Sequence, residues 1–296
     1  MKKLITFICF VLFTVSLFAV KVENNQIIDD YGNKIEVKEY KRIIVTDPGV
    51  IEILFKIGGE KSIVAITKTS RSKIYPFDKV DKLVNIGNVS NLNLEKVVEY
   101  KPDLIVINSM MSRNLEAIKK MGYKVIVSSA SDLNGILDVI SVTGIISGKE
   151  NEAEKLRKEC SLKLEKIEKE NNKSSSKLKG AILFSTSPMS AFSEDSIPGD
   201  ILKHLGITNI AENVPGQRPI LSSEYILKEN PDFLAGTMNL DDTQKIIEAS
   251  NVIPKIKAGK NNNIFILDSS VILRSSYRIF DEIEVLKEKL NKIENK

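Results

Sequence analysis

The chain has 296 residues, 42% of them hydrophobic and 28% charged, with a formal net charge of +4. That balance excludes a disordered chain and leaves an ordinary globular protein of one large or two medium domains. No basic stripe interleaved with aromatics occurs, which argues against a nucleic-acid partner.

The first segment, MKKLITFICFVLFTVSLFAV, places Lys2 and Lys3 before an apolar run from Leu4 to Phe18, followed by Ala19. This order predicts a secretory signal peptide over residues 1–19, cleaved after Ala19. The run is short for a membrane span. Cys9 lies inside it, away from the cleavage point, so export without a lipid anchor is expected. Cys160 is then the one cysteine left, and a lone thiol on an apolar seam is more often core than chemistry.

After the signal, IIDDYGNKIEVKEY (27–40) alternates around Tyr31-Gly32-Asn33 and predicts a hairpin. Strands are expected at 42–47, 62–67, 103–108 and 124–129. Helices are expected at 49–58, over LEKVVEY with Asn93 as N-cap, at 114–121 and at 132–148. Short apolar strands alternating with helices imply a mostly parallel sheet covered on both faces. Residues 149–172 contain no Pro or Gly, and Ala153, Leu156, Cys160, Leu164 and Ile167 recur at steps of three and four. One helix of about 24 residues, about 36 Å long, is predicted there as a connecting strut. The alternation then restarts, with strands at 181–186, 232–237 and 263–268 and helices at 199–206, EYILKEN, 243–249 and 279–293.

One short unit occurs twice. NLNLEKVVEYKPDLIV begins at residue 91, and PILSSEYILKENPDFLAG begins at 219. With Glu95 on Glu224, Pro102 falls on Pro231 and Asp103 on Asp232. An active site seldom needs the same piece twice, whereas a two-lobed protein presenting one matching surface per lobe does. Part of the match has a plain cause, because Pro ends a helix and the residue before it leaves the helical region.

Motifs for catalysis are missing. There is no G-x-S-x-G elbow and no G-x-G-x-x-G loop. Gly144 to Lys149 (GIISGK) has one residue too few for a phosphate loop and closes a helix, so it reads as a C-cap. His204 is the only histidine and reads as a helix-surface or helix-end residue; a site built from several imidazoles is excluded by count. What remains is the set of loops at the carboxyl ends of the strands, where open α/β sheets bind ligands. Arg71, Arg113, Arg218, Arg274 and Arg278, five of seven arginines, lie in or beside them, as do Met110, Met111, Met189 and Met238, four of six methionines. Arginine forks suit carboxylates, and methionines offer adaptable apolar contacts. Asp47, Tyr75 and Tyr277 lie in the same loops.

These stretches resemble the substrate-binding proteins of ABC importers for ferric siderophores, haem and cobalamin. The likeness is carried by IIDDYGNKIEVKEYKRIIV, by IGNVSNLNLEKVVEYKPDLIV, by SIPGDILKHLGITNIAEN, by SSEYILKENPDF and by the long helix. It implies an α/β fold of two lobes, each a mostly parallel sheet flanked by helices, joined by one long helix with a ligand cleft between. The expected units are an N-terminal lobe over 20–148, a connecting helix over 149–173 and a C-terminal lobe over 177–296. The resemblance implies a non-enzymatic, periplasmic monomer that holds no cofactor of its own. Its expected cargo is a small-molecule iron complex, first an anionic ferric siderophore, then haem, then a corrinoid. Tyr75, Tyr277 and the methionines are candidate axial ligands for haem iron. The resemblance also makes Glu95 and Glu224 docking residues for a two-fold inner-membrane permease dimer. A ligand sensor that signals to a receptor, and an α/β enzyme, are the competing classes.

Overall fold

The computed structural model describes residues 20–69, 73–88, 90–171, 178–237 and 240–294; the expected signal peptide, Arg71 and Met238 lie outside them. An antiparallel meander opens the structure: β1 (Val20–Glu23), β2 (Gln26–Asp29) and β3 (Lys34–Glu36). Asp29 caps its β2–β3 turn by accepting from the Tyr31 and Asn33 N–H groups.

The first main sheet contains β4 (Ile43–Val45), β5 (Ile63–Lys68), β6 (Asn85–Asn88), β7 (Asn91–Leu92), β8 (Leu104–Asn108) and β9 (Val125–Ser128). Their order is β7-β6-β5-β4-β8-β9, parallel except for the β6–β7 hairpin. The helices of this half are α1 (Pro48–Ile57), α2 (Phe77–Val80), α3 (Leu94–Tyr100), α4 (Leu115–Lys120) and α5 (Leu133–Ser147). Asp47, Asn93 and Asp132 cap α1, α3 and α5 through their side chains. Gly148 closes α5 in the left-handed region, so the phosphate-loop look-alike is a C-cap.

Helix α6 (Glu150–Asn171) follows, and its buried residues are Ala153, Leu156, Cys160, Leu164 and Ile167, the stripe predicted from spacing. Burial pushes the Cys160 thiol up to about 12, so it is an inert core group. The second half contains β10 (Lys179–Thr186), β11 (Met189–Ala191), β12 (Thr208–Asn209), β13 (Phe233–Gly236) and β14 (Ile264–Ile266). β10 pairs in parallel with β12 and β13, β13 pairs in parallel with β14, and β11 is antiparallel to β10. Its helices are α7 (Ile197–His204), α8 (Ser223–Glu229), α9 (Thr243–Glu248), α10 (Lys257–Lys260), α11 (Ser269–Ile272) and α12 (Ile279–Glu294).

Continuously apolar strands are explained by burial on both faces. Along β8, Leu104 and Val106 enter one core while Ile105 and Ile107 enter another. Along β10, Ile182 and Leu183 divide in the same way. The core containing Leu104 and Ile182 also contains the buried stripe of α6 and runs from α1 and α5 to α7 and α12. The two sheets are therefore joined by shared hydrophobic packing as well as by chain. Where α5 meets α6, a Cβ on Gly144 would overlap that of Ala153. Lys163, Lys166 and Lys287 pair with Asp281, Glu284 and Glu170 between α6 and α12.

His204 is the last residue of α7, the helix-end position expected, but its side chain is mostly buried and not at the surface. Its Nδ1 is 2.9 Å from a Glu168 carboxylate oxygen and its Nε2 is 3.4 Å from Asp200 Oδ2. Asp200 Oδ2 also accepts from the Leu133 N–H at 2.9 Å, so one cluster ties α7, α6 and the start of α5 together. Burial alone would lower the imidazole pKa, but Asp200 and Glu168 outweigh it and raise it above its ordinary 6.5. The stabilisation is therefore fully present below pH 6.5 and lost as pH rises through the raised value. The stability difference between wild type and His204→Gln, read by urea unfolding, is expected to shrink from pH 6 to pH 9.

Gly49 meets a different constraint. A Cβ there would overlap the Ser275 carbonyl, because the first turn of α1 lies directly against the 274–278 turn of the second half. Gly49→Ala is expected to cost about 1–3 kcal/mol of unfolding free energy in denaturant titration.

Candidate functional site

The carboxyl ends of the parallel strands carry the candidate residues, and the structure sorts them by burial. Asp47 is buried, accepting from the Gly49 N–H at 2.7 Å. Burial raises its pKa against the opposing Ser128 hydroxyl, the Gly49 and Val50 N–H groups and the Arg274 charge. It is a helix cap, with its acceptor capacity directed inward. A 3₁₀ turn over Ser109–Asn114 divides the adjacent methionines: Met111 enters the core and Met110 is 62% exposed. Met189 is buried in β11. Asp47, Met111 and Met189 were expected on open loops; their backbone positions are at strand ends, but their side chains face inward.

Arg274 differs from expectation for an electrostatic reason. Its Nη1 lies 2.7 Å from Glu52 Oε1, and both side chains are buried. Arg278 reaches the same oxygen at 3.4 Å, and the Tyr75 N–H donates to it at 3.2 Å. Arg278 also lies over the Tyr75 ring, 5.2 Å from its centre, and Tyr75 meets Phe77 edge-on at 5.8 Å. The structure thus gathers Tyr75, Arg274, Tyr277 and Arg278 around one carboxylate. Burial, with the nearby Glu52 and Tyr75, pushes the Tyr277 phenol up to about 12. Tyr75, by contrast, is exposed.

Sequence reasoning missed Glu52. Its signal was present: it is the one acid in the apolar helix PGVIEILFKI, at a position the helical period turns inward. Its two arginines are more than 220 residues away in sequence.

Arg113 and Arg218 stand apart from that cluster. Arg113 is exposed and donates to the Ser90 carbonyl. Arg218 stacks on two aromatic rings, 4.2 Å from the centre of Phe192 and 5.2 Å from that of Phe184. Burial lowers its pKa, and no carboxylate pairs with it among the described residues. Phe184 and Ile220 are exposed beside it. Neither phenylalanine was legible as part of a site, because an aromatic in or beside a strand reads as core. Among the described residues no group of three His, Cys, Asp or Glu side chains is placed to hold a metal ion. A cavity of about 260 Å³ lies elsewhere, between the end of α6 and α12, lined by Glu170, Leu178, Leu205 and Lys287 among others.

Glu95 and Glu224 occupy the first turns of α3 and α8. Both are exposed, and neither forms an ion pair among the described residues. The Glu224 carboxyl is held below the usual range by its own backbone N–H and by Ser222.

The sequence pattern of the periplasmic binding proteins matches residues 43–271. The chain belongs to that family. An uncharacterized ABC transporter substrate-binding lipoprotein of Bacillus subtilis, YvrC, is 27% identical over 89% of this chain and 84% of its own length. The petrobactin-binding protein YclQ of the same organism is 26% identical over 88% of this chain and 84% of its own length. The YclQ crystal structure superposes with a TM-score of 0.75 at 23% identity, covering 88% of this chain and 95% of that one. A possible iron-binding periplasmic protein of Staphylococcus epidermidis superposes with a TM-score of 0.74 at 27% identity, covering 86% and 99%. This periplasmic binding protein has the α/β fold expected of it, with two helix-flanked, parallel-containing sheets. No helix among its described residues is long and apolar enough to cross a membrane.

The buried ion cluster makes a stability prediction. Glu52→Leu removes the buried carboxylate that Arg274 and Arg278 share and is expected to cost about 3–5 kcal/mol in chemical denaturation. Adding Arg274→Met and Arg278→Met to Glu52→Leu is expected to recover most of that loss, because the buried charges go with the carboxylate.

Proposed function

We propose that this chain is the solute-binding component of an ABC importer and that it captures an anionic iron complex between its two sheets. The observation that carries the cargo class is Arg218: an exposed guanidinium held on an aromatic shelf, with no carboxylate paired to it among the described residues. Such a group suits a ferric chelate with carboxylate or other anionic oxygens. Arg113, Tyr75, Met110 and Arg278 are the other proposed contacts; Arg71 and Met238 belong to the proposal from their sequence positions. The names of the relatives support the same class, petrobactin among them. Cobalamin-binding relatives and haem-binding structural neighbours make those cargoes the second reading, favoured by the exposed faces of Tyr75 and Phe184.

Delivery follows from the surface. Glu95 and Glu224 are proposed to dock on basic groups of a two-fold permease, one per half. The expected setting is the periplasm, after cleavage at Ala19 and without a lipid anchor, as a monomer that turns over no substrate. Intact mass of the exported protein tests the processing, since an acylated relative such as YvrC carries lipid by name.

A thermal-shift panel on the chain from Val20 tests the cargo. Catecholate, hydroxamate and carboxylate ferric siderophores, haemin and cobalamin are each added at 100 times the dissociation constant expected of a binder. A true cargo adds about 2.7 kcal/mol of stability. Arg218→Ala is expected to weaken it tenfold or more while leaving the free protein folded. Glu95→Ala with Glu224→Ala is expected to leave cargo affinity unchanged and to lower uptake in cells; unchanged uptake would favour the sensor reading.

A further inference from the structure

The sequence repeat is reproduced closely in three dimensions. Asn93 and Ser222 cap their helices by accepting from the third helical N–H, that of Lys96 at 3.0 Å and of Tyr225 at 3.1 Å. Helices α3 and α8 are each seven residues long and end on a left-handed residue, Lys101 with φ 44° and Asn230 with φ 47°. Proline follows in both. Then Asp103 accepts from the Lys41 and Arg42 N–H groups, and Asp232 from the Lys179 N–H, each fastening its helix to the start of a neighbouring parallel strand. Val97 and Ile226 point inward and are buried.

The outward faces match too. Three residues beyond each glutamate, on the same side of the helix, stand Val98, 51% exposed, and Leu227, 47% exposed. A single solvated aliphatic needs no explanation. Here an exposed acid and an exposed aliphatic recur at the same step on two rigidly equivalent helices. Neither Val98 nor Leu227 belongs to any of the hydrophobic cores. A surface made twice fits a partner that offers the complementary surface twice.

We infer that Val98 and Leu227 are the apolar half of the docking surface, each entering an apolar pocket beside a basic side chain on one of the two equivalent permease subunits. This rests on the docking reading of Glu95 and Glu224 and goes beyond it. The two parts divide the work: the acids steer approach, and the aliphatics set residence, since exposed charges act chiefly on association and buried apolar contacts on dissociation.

The test uses the importer permease engaged by the wild-type chain, reconstituted in nanodiscs, with surface plasmon resonance as readout. Val98→Ser and Leu227→Ser are each expected to weaken binding about tenfold, by similar factors and mainly through faster dissociation, and the double variant about a hundredfold. Cargo-induced thermal shifts of these variants are expected to equal wild type. Glu95→Ala with Glu224→Ala is expected instead to slow association and to reduce its salt dependence. A double serine variant that binds within twofold of wild type, while the glutamate pair weakens binding, overturns this inference and leaves the docking reading standing. Wild-type binding by both pairs overturns both. Loss confined to one of the single serine variants overturns the matched arrangement. A wild-type dimer in sedimentation that the double serine variant abolishes would assign the surface to a second copy of the chain and overturn the permease assignment.

Discussion

A carboxylate buried in a helix is the constraint on which the rest of this structure depends. Glu52 sits at an inward position of α1 and would be prohibitively costly there alone. The 274–278 turn answers it with two guanidiniums, and the loop before α2 answers it with the Tyr75 N–H. Because those partners come from two stretches of chain outside α1, satisfying one charge fixes the relative position of the first helix, the Tyr75 loop and the second half. The close approach of Gly49 to Ser275 follows from the same meeting of elements.

Around that cluster the shared hydrophobic core supplies most of the adhesion. Helix α6 contributes its buried stripe to a core that continues through both halves, and the His204 cluster pins α5, α6 and α7 at a second point. Such a connection bends less readily than loops do. It leaves the strand ends as the place where side chains remain uncommitted, and there the structure is selective. Arg274 is committed to Glu52, Arg278 is shared between Glu52 and the Tyr75 ring and stays partly exposed, and the Arg218 charge meets aromatic faces with no carboxylate paired to it among the described residues. An aromatic shelf restricts where the planar guanidinium lies without neutralising its charge.

Local features of the fold were legible because they depend on neighbours in sequence. The α6 stripe, the caps at Asn93 and Asp132, the Gly148 terminus and the alternation of strand and helix all follow from spacing and from residue type. Other local details were not legible. Which methionine the 3₁₀ turn sends into the core and which it leaves outside depends on the packing around it, and adjacent identical residues carry no information about that. The residue before each proline was expected to leave the helix, but its left-handed rather than extended conformation is set by how the chain must return to the sheet. Of the candidate site, the strand-end positions were legible in the sequence, whereas the burial of Asp47, Met189 and Arg274 was not.

By itself the sequence determined the fold class, the strut and the duplicated helix-Pro-Asp unit, because periodicity, capping and turn chemistry act over a few residues. Tertiary structure alone decided which polar groups are spent and which are available. Glu52 meets Arg274 across more than 220 residues, and Arg218 meets one phenylalanine in β10 and one just past β11. Charge pairing and desolvation depend on distance in space, and that distance exists only once the two sheets have closed on their common core.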